Sequence, residues 1–106
     1  MRILFDQGTP VPLRKLLTPH QVETSYERGW STLNNGDLLS AADQASFEIF
    51  VTTDKNLRDQ QNLGRLKIDV VVLSSTSWPR IQKAAAAVQE AIDAALPGSF
   101  NEVTIP

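Results

Sequence analysis

Three aspartates sit where the chain turns from apolar to polar. Asp6 follows "RILF", Asp54 follows "EIFVTT", and Asp37 lies in "NNGDLLSAADQAS", which reads as a helix start just before the second of those strands. Three carboxylates brought together repel one another unless a cation holds them. Their oxygens suit a hard ion, Mg2+ or Mn2+, and Mg2+ is usually held by few carboxylates together with waters and phosphate. Such an ion activates water and stabilises the leaving oxygen of a phosphodiester. In that chemistry Asp6 and Asp54 bind the metal directly, and Asp37 completes the shell or orients the attacking water. Taken singly, each has a plainer explanation. Aspartate initiates turns after strands, and a negative charge is favourable in the first turn of a helix. The joint pattern is what points to a site.

Other side chains qualify for supporting roles. Lys55 and Arg58 follow Asp54 and are either phosphate contacts or surface charges. Asp59, one helical turn beyond Asp54, reads as an exposed charge rather than a fourth ligand. Ser74, Ser75 and Thr76 follow "IDVVVL" and either meet a ligand phosphate or cap the helix that comes next. His20, the single histidine, reads as a turn residue after Pro19. Trp30 and Trp78 read as packing residues. No serine has an assignable histidine partner, and neither a glycine-rich phosphate loop nor a zinc-ligand spacing is present.

The elements that must position these residues follow from periodicity. Strands are expected at "RILF" (2–5), "QVETSY" (21–26), "EIFVTT" (48–53) and "IDVVVLS" (68–74), with a weaker one at "FNEVTI" (100–105). "QVETSY" alternates, with Val22, Thr24 and Tyr26 on one face. "VVVL" is a continuous apolar run that suits a strand covered on both faces. Helices are expected between them. "PVPLRKLL" has Pro in a position that suits a first turn, with Leu13, Leu16 and Leu17 on one face. "NNGDLLSAADQAS" has Asn35 as cap and Leu38, Ala42 and Ala45 as its stripe. "NLRDQQNLG" forms a short helix stopped by Gly64. "SWPRIQKAAAAVQEAIDAALPG" reads as one long helix, capped at Ser77, with Ile81, Ala85, Val88, Ile92 and Leu96 buried. Strands alternating with helices imply crossover connections and a mostly parallel sheet with helices on both faces. Sites in such sheets form outside the carboxyl ends of the strands, where Asp6 and Asp54 fall.

Composition bounds the rest. A length of 106 residues fits one domain, and 42% hydrophobic with 21% charged residues suffices for a packed core. The absence of cysteine removes disulfide frameworks and thiolate metal sites and suits a reducing cytoplasm, with a small disulfide-free secreted domain as the alternative. "MRILFDQG" is not a signal peptide, and no run approaches a membrane span. The net charge of −2 argues against strong non-specific nucleic-acid binding. All ten Lys and Arg lie at or before Lys83, so a local basic surface remains open, as does the plainer reading of solvated helix faces.

"ILFDQGTPVPLRKLL", "HQVETSYERGW", "NNGDLLSAADQASFEIFVTTDKNL" and "VVVLSSTSWPRI" resemble, in that order, the small PIN-like proteins of the DUF5615 (Mut7-C-like) group. The resemblance covers roughly residues 2 to 83. The strand ending in a carboxylate, the Gly-Trp pair, the helix opened by Asp and the "TTDKN" strand end carry it jointly. It implies a single PIN-like domain over residues 1–106, with a three-layer α/β/α fold and a central, mostly parallel sheet of four to five strands. It further implies a Mg2+-dependent ribonuclease related to VapC toxins, the toxin of a bacterial type II toxin–antitoxin system, held by a small antitoxin protein. Asp6, Asp37 and Asp54 match the acidic metal site. Relatives often carry another acid two residues after the "TTD" aspartate; here Asn56 stands there, able to ligate through its carbonyl or to bond a phosphate without adding charge.

Two rival readings come from other classes. One is a catalytically weak or inactive PIN-like module that binds a partner protein or RNA, which Asn56 and the acidic net charge favour. The other is a phosphoacceptor receiver domain, since an Asp after the third strand fits it. Against it, the first strand offers Asp6-Gln7 rather than an acidic pair, and no basic residue follows Lys83. "FNEVTI" is either the last strand of the sheet or an arm that pairs with another chain, which would make a homo-oligomer.

Overall fold

The computed structural model describes residues 1–57 and 66–106. Five strands form one sheet: β1 (Arg2–Phe5), β2 (Gln21–Thr24), β3 (Ile49–Thr52), β4 (Asp69–Leu73) and β5 (Phe100–Val103). Their spatial order is β2-β1-β3-β4-β5, and every pairing is parallel. "FNEVTI" therefore supplies the last strand of the chain's own sheet, paired from Val70↔Phe100 to Leu73↔Val103. β3 and β4 are buried along their whole length. That is what continuous apolar runs such as "VVVL" produce in a sheet covered on both sides.

Alternation along the strands splits the core in two. Ile3, Phe5, Ile49, Val51, Val71 and Leu73 face one layer. There they meet Leu13 and Leu17 of a 3-10 helix (Val11–Leu17), Ile81 of α2 (Trp78–Lys83), and Val88 and Ile92 of α3 (Ala85–Asp93). Leu4, Phe50, Val70 and Val72 face the other way, onto Leu38, Leu39 and Ala42 of α1 (Asn35–Gln44), with Phe47 and Leu57. The result is a three-layer α/β/α fold. The period of two in a strand thus feeds both cores from the same short segments.

Several local expectations shift. "PVPLRKLL" forms a 3-10 rather than an α-helix, because Pro10 and Pro12 lack amide donors at its start. The α1 cap is Asn34, whose side chain accepts from the Asp37 amide at 2.8 Å, rather than Asn35. Leu39 is buried in α1 where Ala45 was expected, although Ala45 still packs against that core. β2 stops at Thr24, and Tyr26 stands 79% exposed in the turn that follows. The long C-terminal helix breaks at Ala84 and ends at Asp93, leaving Leu96 67% exposed. Alanine is the best helix former, so the break reflects packing, with Ala84 itself against the core, rather than propensity. Most of the helix expected at "NLRDQQNLG" lies outside the described residues.

Candidate active site at the carboxyl edge of the sheet

The first connection leaves β1 toward β2, and the next returns across β1 to β3. β1 and β3 therefore flank the point where the strand order reverses, the place where open parallel sheets bind ligands. Asp6 leaves β1 there and Asp54 follows β3. Both line one cleft of about 270 Å³, with Gln7, Gly8, Ser25, Trp30, Asn35 and Thr53.

The register explains how the two carboxylates are joined. Phe5 pairs with Val51 across β1 and β3, so the next residues, Asp6 and Thr52, are lateral neighbours. The Asp6 amide donates to Val51 O at 3.1 Å. Thr52 Oγ1 donates to Asp6 Oδ2 at 2.5 Å and accepts from the Asp54 amide at 3.0 Å. One hydroxyl thus links the Asp6 carboxylate to the Asp54 backbone. Thr9 Oγ1 lies 2.7 Å from Asp6 Oδ1 and 3.1 Å from Val51 O, which closes the loop that carries Gly8. Gly8 allows this approach, because a Cβ there would stand 2.5 Å from Thr53 Oγ1. Asp54 is fixed by Asn35 Nδ2, which donates to its Oδ2 at 3.0 Å, and by the Asn56 amide, which donates to its Oδ1 at 3.0 Å.

Asp6 is 5% exposed. None of the ion pairs among the described residues involves Asp6 or Asp54; they join Arg2 and Arg28 to Glu23, Arg14 to Glu27, and His20 to Asp93. Two carboxylates therefore share a cleft without a protein cation among the described residues. Their oxygen-only donors fit a hard cation that keeps most of its waters, as Mg2+ does. Asp6 and Asp54 are the residues that would hold it.

The remaining expected site residues scatter. Asp37 is exposed on the first turn of α1 and is not among the residues lining the cleft; Asn35, two residues earlier, contacts Asp54 instead. No group of three His, Cys, Asp or Glu residues stands close enough to hold a metal among the described residues. Asn56 is exposed, and its amide closes a turn on Asp54. Lys55 is exposed and lines a separate depression with Ser74, Glu102 and Thr104. Arg58 and Asp59 lie outside the described residues. Ser75 accepts from the Ser77 amide at 3.0 Å, as a turn residue before α2 does, and Ser74 accepts from the Ile105 amide at 2.7 Å. His20 bonds the N-terminal amine and Asp93.

Four contributors were not singled out from the sequence: Thr9, Ser25, Asn35 as a contact to Asp54, and Thr52. The paired threonines of "VTTD" carried a signal, since a hydroxyl two residues before a strand-end carboxylate can reach its amide. Trp30 does pack, edge-on to Phe47 at 6.3 Å and 73°, and it also lines the cleft, with the Arg28 guanidinium 4.8 Å from its ring centre.

The chain matches no family model, no curated protein and no solved structure.

Proposed function

We propose that this chain is a divalent-cation-dependent nuclease that hydrolyses RNA phosphodiester bonds at the cleft between β1 and β3. The observation that carries the reading is the convergence of Asp6 and Asp54 on one cleft at the strand-order reversal, joined through Thr52. A Mg2+ held by Asp6 and Asp54 would supply Lewis acidity to the phosphodiester. The protein's part is to hold two carboxylates in fixed orientation, Asp6 by Thr9 and Thr52, Asp54 by Asn35 and the Asn56 amide. Prepaid orientation of this kind lowers the cost of reaching the reactive geometry. RNA as substrate, and the role of a toxin held by an antitoxin protein in the cytoplasm, rest on the resemblance to PIN-like proteins.

The test is cleavage of single-stranded RNA in Mg2+ by wild type and Asp6→Asn, with chelator controls. Asp6→Asn loses cleavage by roughly 100-fold or more, the scale of forfeiting a few kcal/mol of charge stabilisation, and keeps the wild-type circular dichroism. Cleavage by the variant at the wild-type rate would remove Asp6 from the site.

A second reading, a binding module with weak or no catalysis, is favoured by one observation: among the described residues, Asp6 and Asp54 are the only acids lining the cleft. Mn2+ binding without RNA cleavage would select it. The receiver reading gains the strand order, which receivers share. It still lacks a second acid after β1, where the Gln7 amide instead donates to Ser31 O at 2.7 Å, and a cation after β5.

A further inference from the structure

Ser25 is 1% exposed, lines the cleft beside Asp6, and its hydroxyl has no hydrogen-bond partner among the described residues. Its backbone is pinned on both sides, with its amide donating to Phe5 O at 2.9 Å and its carbonyl accepting from the Trp30 amide at 2.8 Å. The residue is therefore held in place while its one polar side-chain atom stays unused. A buried hydroxyl left unpaired loses its hydration without return, and an alanine would fill the same space at no such cost.

Register says what that hydroxyl is near. Phe5 pairs with Thr24, so Ser25 is the lateral neighbour of Asp6 on the β2 side, as Thr52 is on the β3 side. Neighbouring strands run about 4.8 Å apart, and residues matched in a parallel sheet project to the same face. The cleft's carboxylates are already hydrogen-bonded, Asp6 to Thr9 and Thr52 and Asp54 to Asn35, and neither is a hydrogen-bond partner of Ser25 Oγ.

We infer that Ser25 is a ligand-binding residue of this cleft, its hydroxyl donating to a phosphate oxygen of a bound nucleotide. The inference rests on the reading of the cleft as a phosphodiester site. A phosphate drawn to a cation held by Asp6 would bring acceptor oxygens into the cleft that Ser25 lines, where Ser25 has a donor to give. Ser25 would thus fix the phosphate laterally while a cation held by the acidic pair neutralises its charge.

The experiment is calorimetric titration with adenosine 5′-monophosphate in Mg2+, on wild type and Ser25→Ala, beside a Mn2+ titration and a thermal melt of each. The expected result has three parts: nucleotide affinity falls roughly tenfold in the variant, Mn2+ affinity is unchanged, and the melting temperature is unchanged or raised. A purely structural serine would give the opposite pattern, equal nucleotide affinity with a lowered melting temperature, and that result overturns the inference. Wild type that binds Mn2+ but no nucleotide also overturns it and leaves the metal site standing. Wild type that binds neither overturns both this inference and the phosphodiester reading.

Discussion

Thr52 makes one unit of two carboxylates that are distant in sequence. Because its hydroxyl donates to Asp6 and accepts from the Asp54 amide, Thr52→Val keeps the shape and removes both bonds. We expect a loss of about 1–3 kcal/mol in chemical denaturation and a measurable fall in Mn2+ affinity by calorimetry. Asn35 acts on the other carboxylate. Removing an outer contact to a metal-binding group commonly costs 10–100-fold in affinity, so Asn35→Ala should weaken Mn2+ binding by about tenfold with little change in melting temperature. Asp69 gives a pH signature away from the cleft. It opens β4 at the amino edge, buried, bonded to Ser99, with its Oδ2 unpartnered among the described residues. Burial raises its pKa above the ordinary 3.8, against the lowering effect of Ser99 and Asn101. The folded state then holds this proton more tightly than the unfolded state. This group's contribution is therefore most favourable at low pH and is lost as pH rises from about the unfolded value through the raised folded one. Asp69→Asn should flatten that part of a stability-against-pH curve, read by urea melts across the acidic range.

At the scale of elements, what the sequence disclosed depended on how much of the signal was local. The ends of β1 and β3 were legible because apolar runs stop at a carboxylate, and Asp6 and Asp54 could be placed on one edge from connectivity alone. "VVVL" was legible as a doubly covered strand because no polar residue interrupts it. The α1 cap was misassigned by one residue because Asn34 and Asn35 are adjacent and both suit a cap. Only the chain path decides that Asn34 turns to the Asp37 amide and Asn35 to Asp54. That same path leaves Asp37 exposed, since it follows the cap by three residues and is spent at the helix end. Asn34→Ala should therefore cost about 1 kcal/mol in a denaturation series without touching Mn2+ affinity. The break at Ala84 was invisible because an alanine run carries no period to interrupt, and it arises from how Ile81, Val88 and Ile92 seat on one core.

At the scale of the molecule, the all-parallel order β2-β1-β3-β4-β5 gives two cores and one reversal point. Among the described residues no helix is long and apolar enough to cross a membrane. The reversal point is where chain connectivity parts the backbone and opens a cleft, and it is where Ser25, Asp6 and Thr52 stand side by side at the carboxyl ends of three neighbouring strands. The architecture thus explains why carboxylates 48 residues apart in numbering serve one place, and it requires no contribution from the exposed Asp37. This place is expected to hold a divalent cation. Calorimetric titration of Mn2+ into wild type and Asp54→Ala, side by side, tests it most directly. Wild type should give a saturable isotherm that disappears in the variant. Equal isotherms, or none in wild type, would contradict it and leave "VTTDKN" as a strand that ends in a turn.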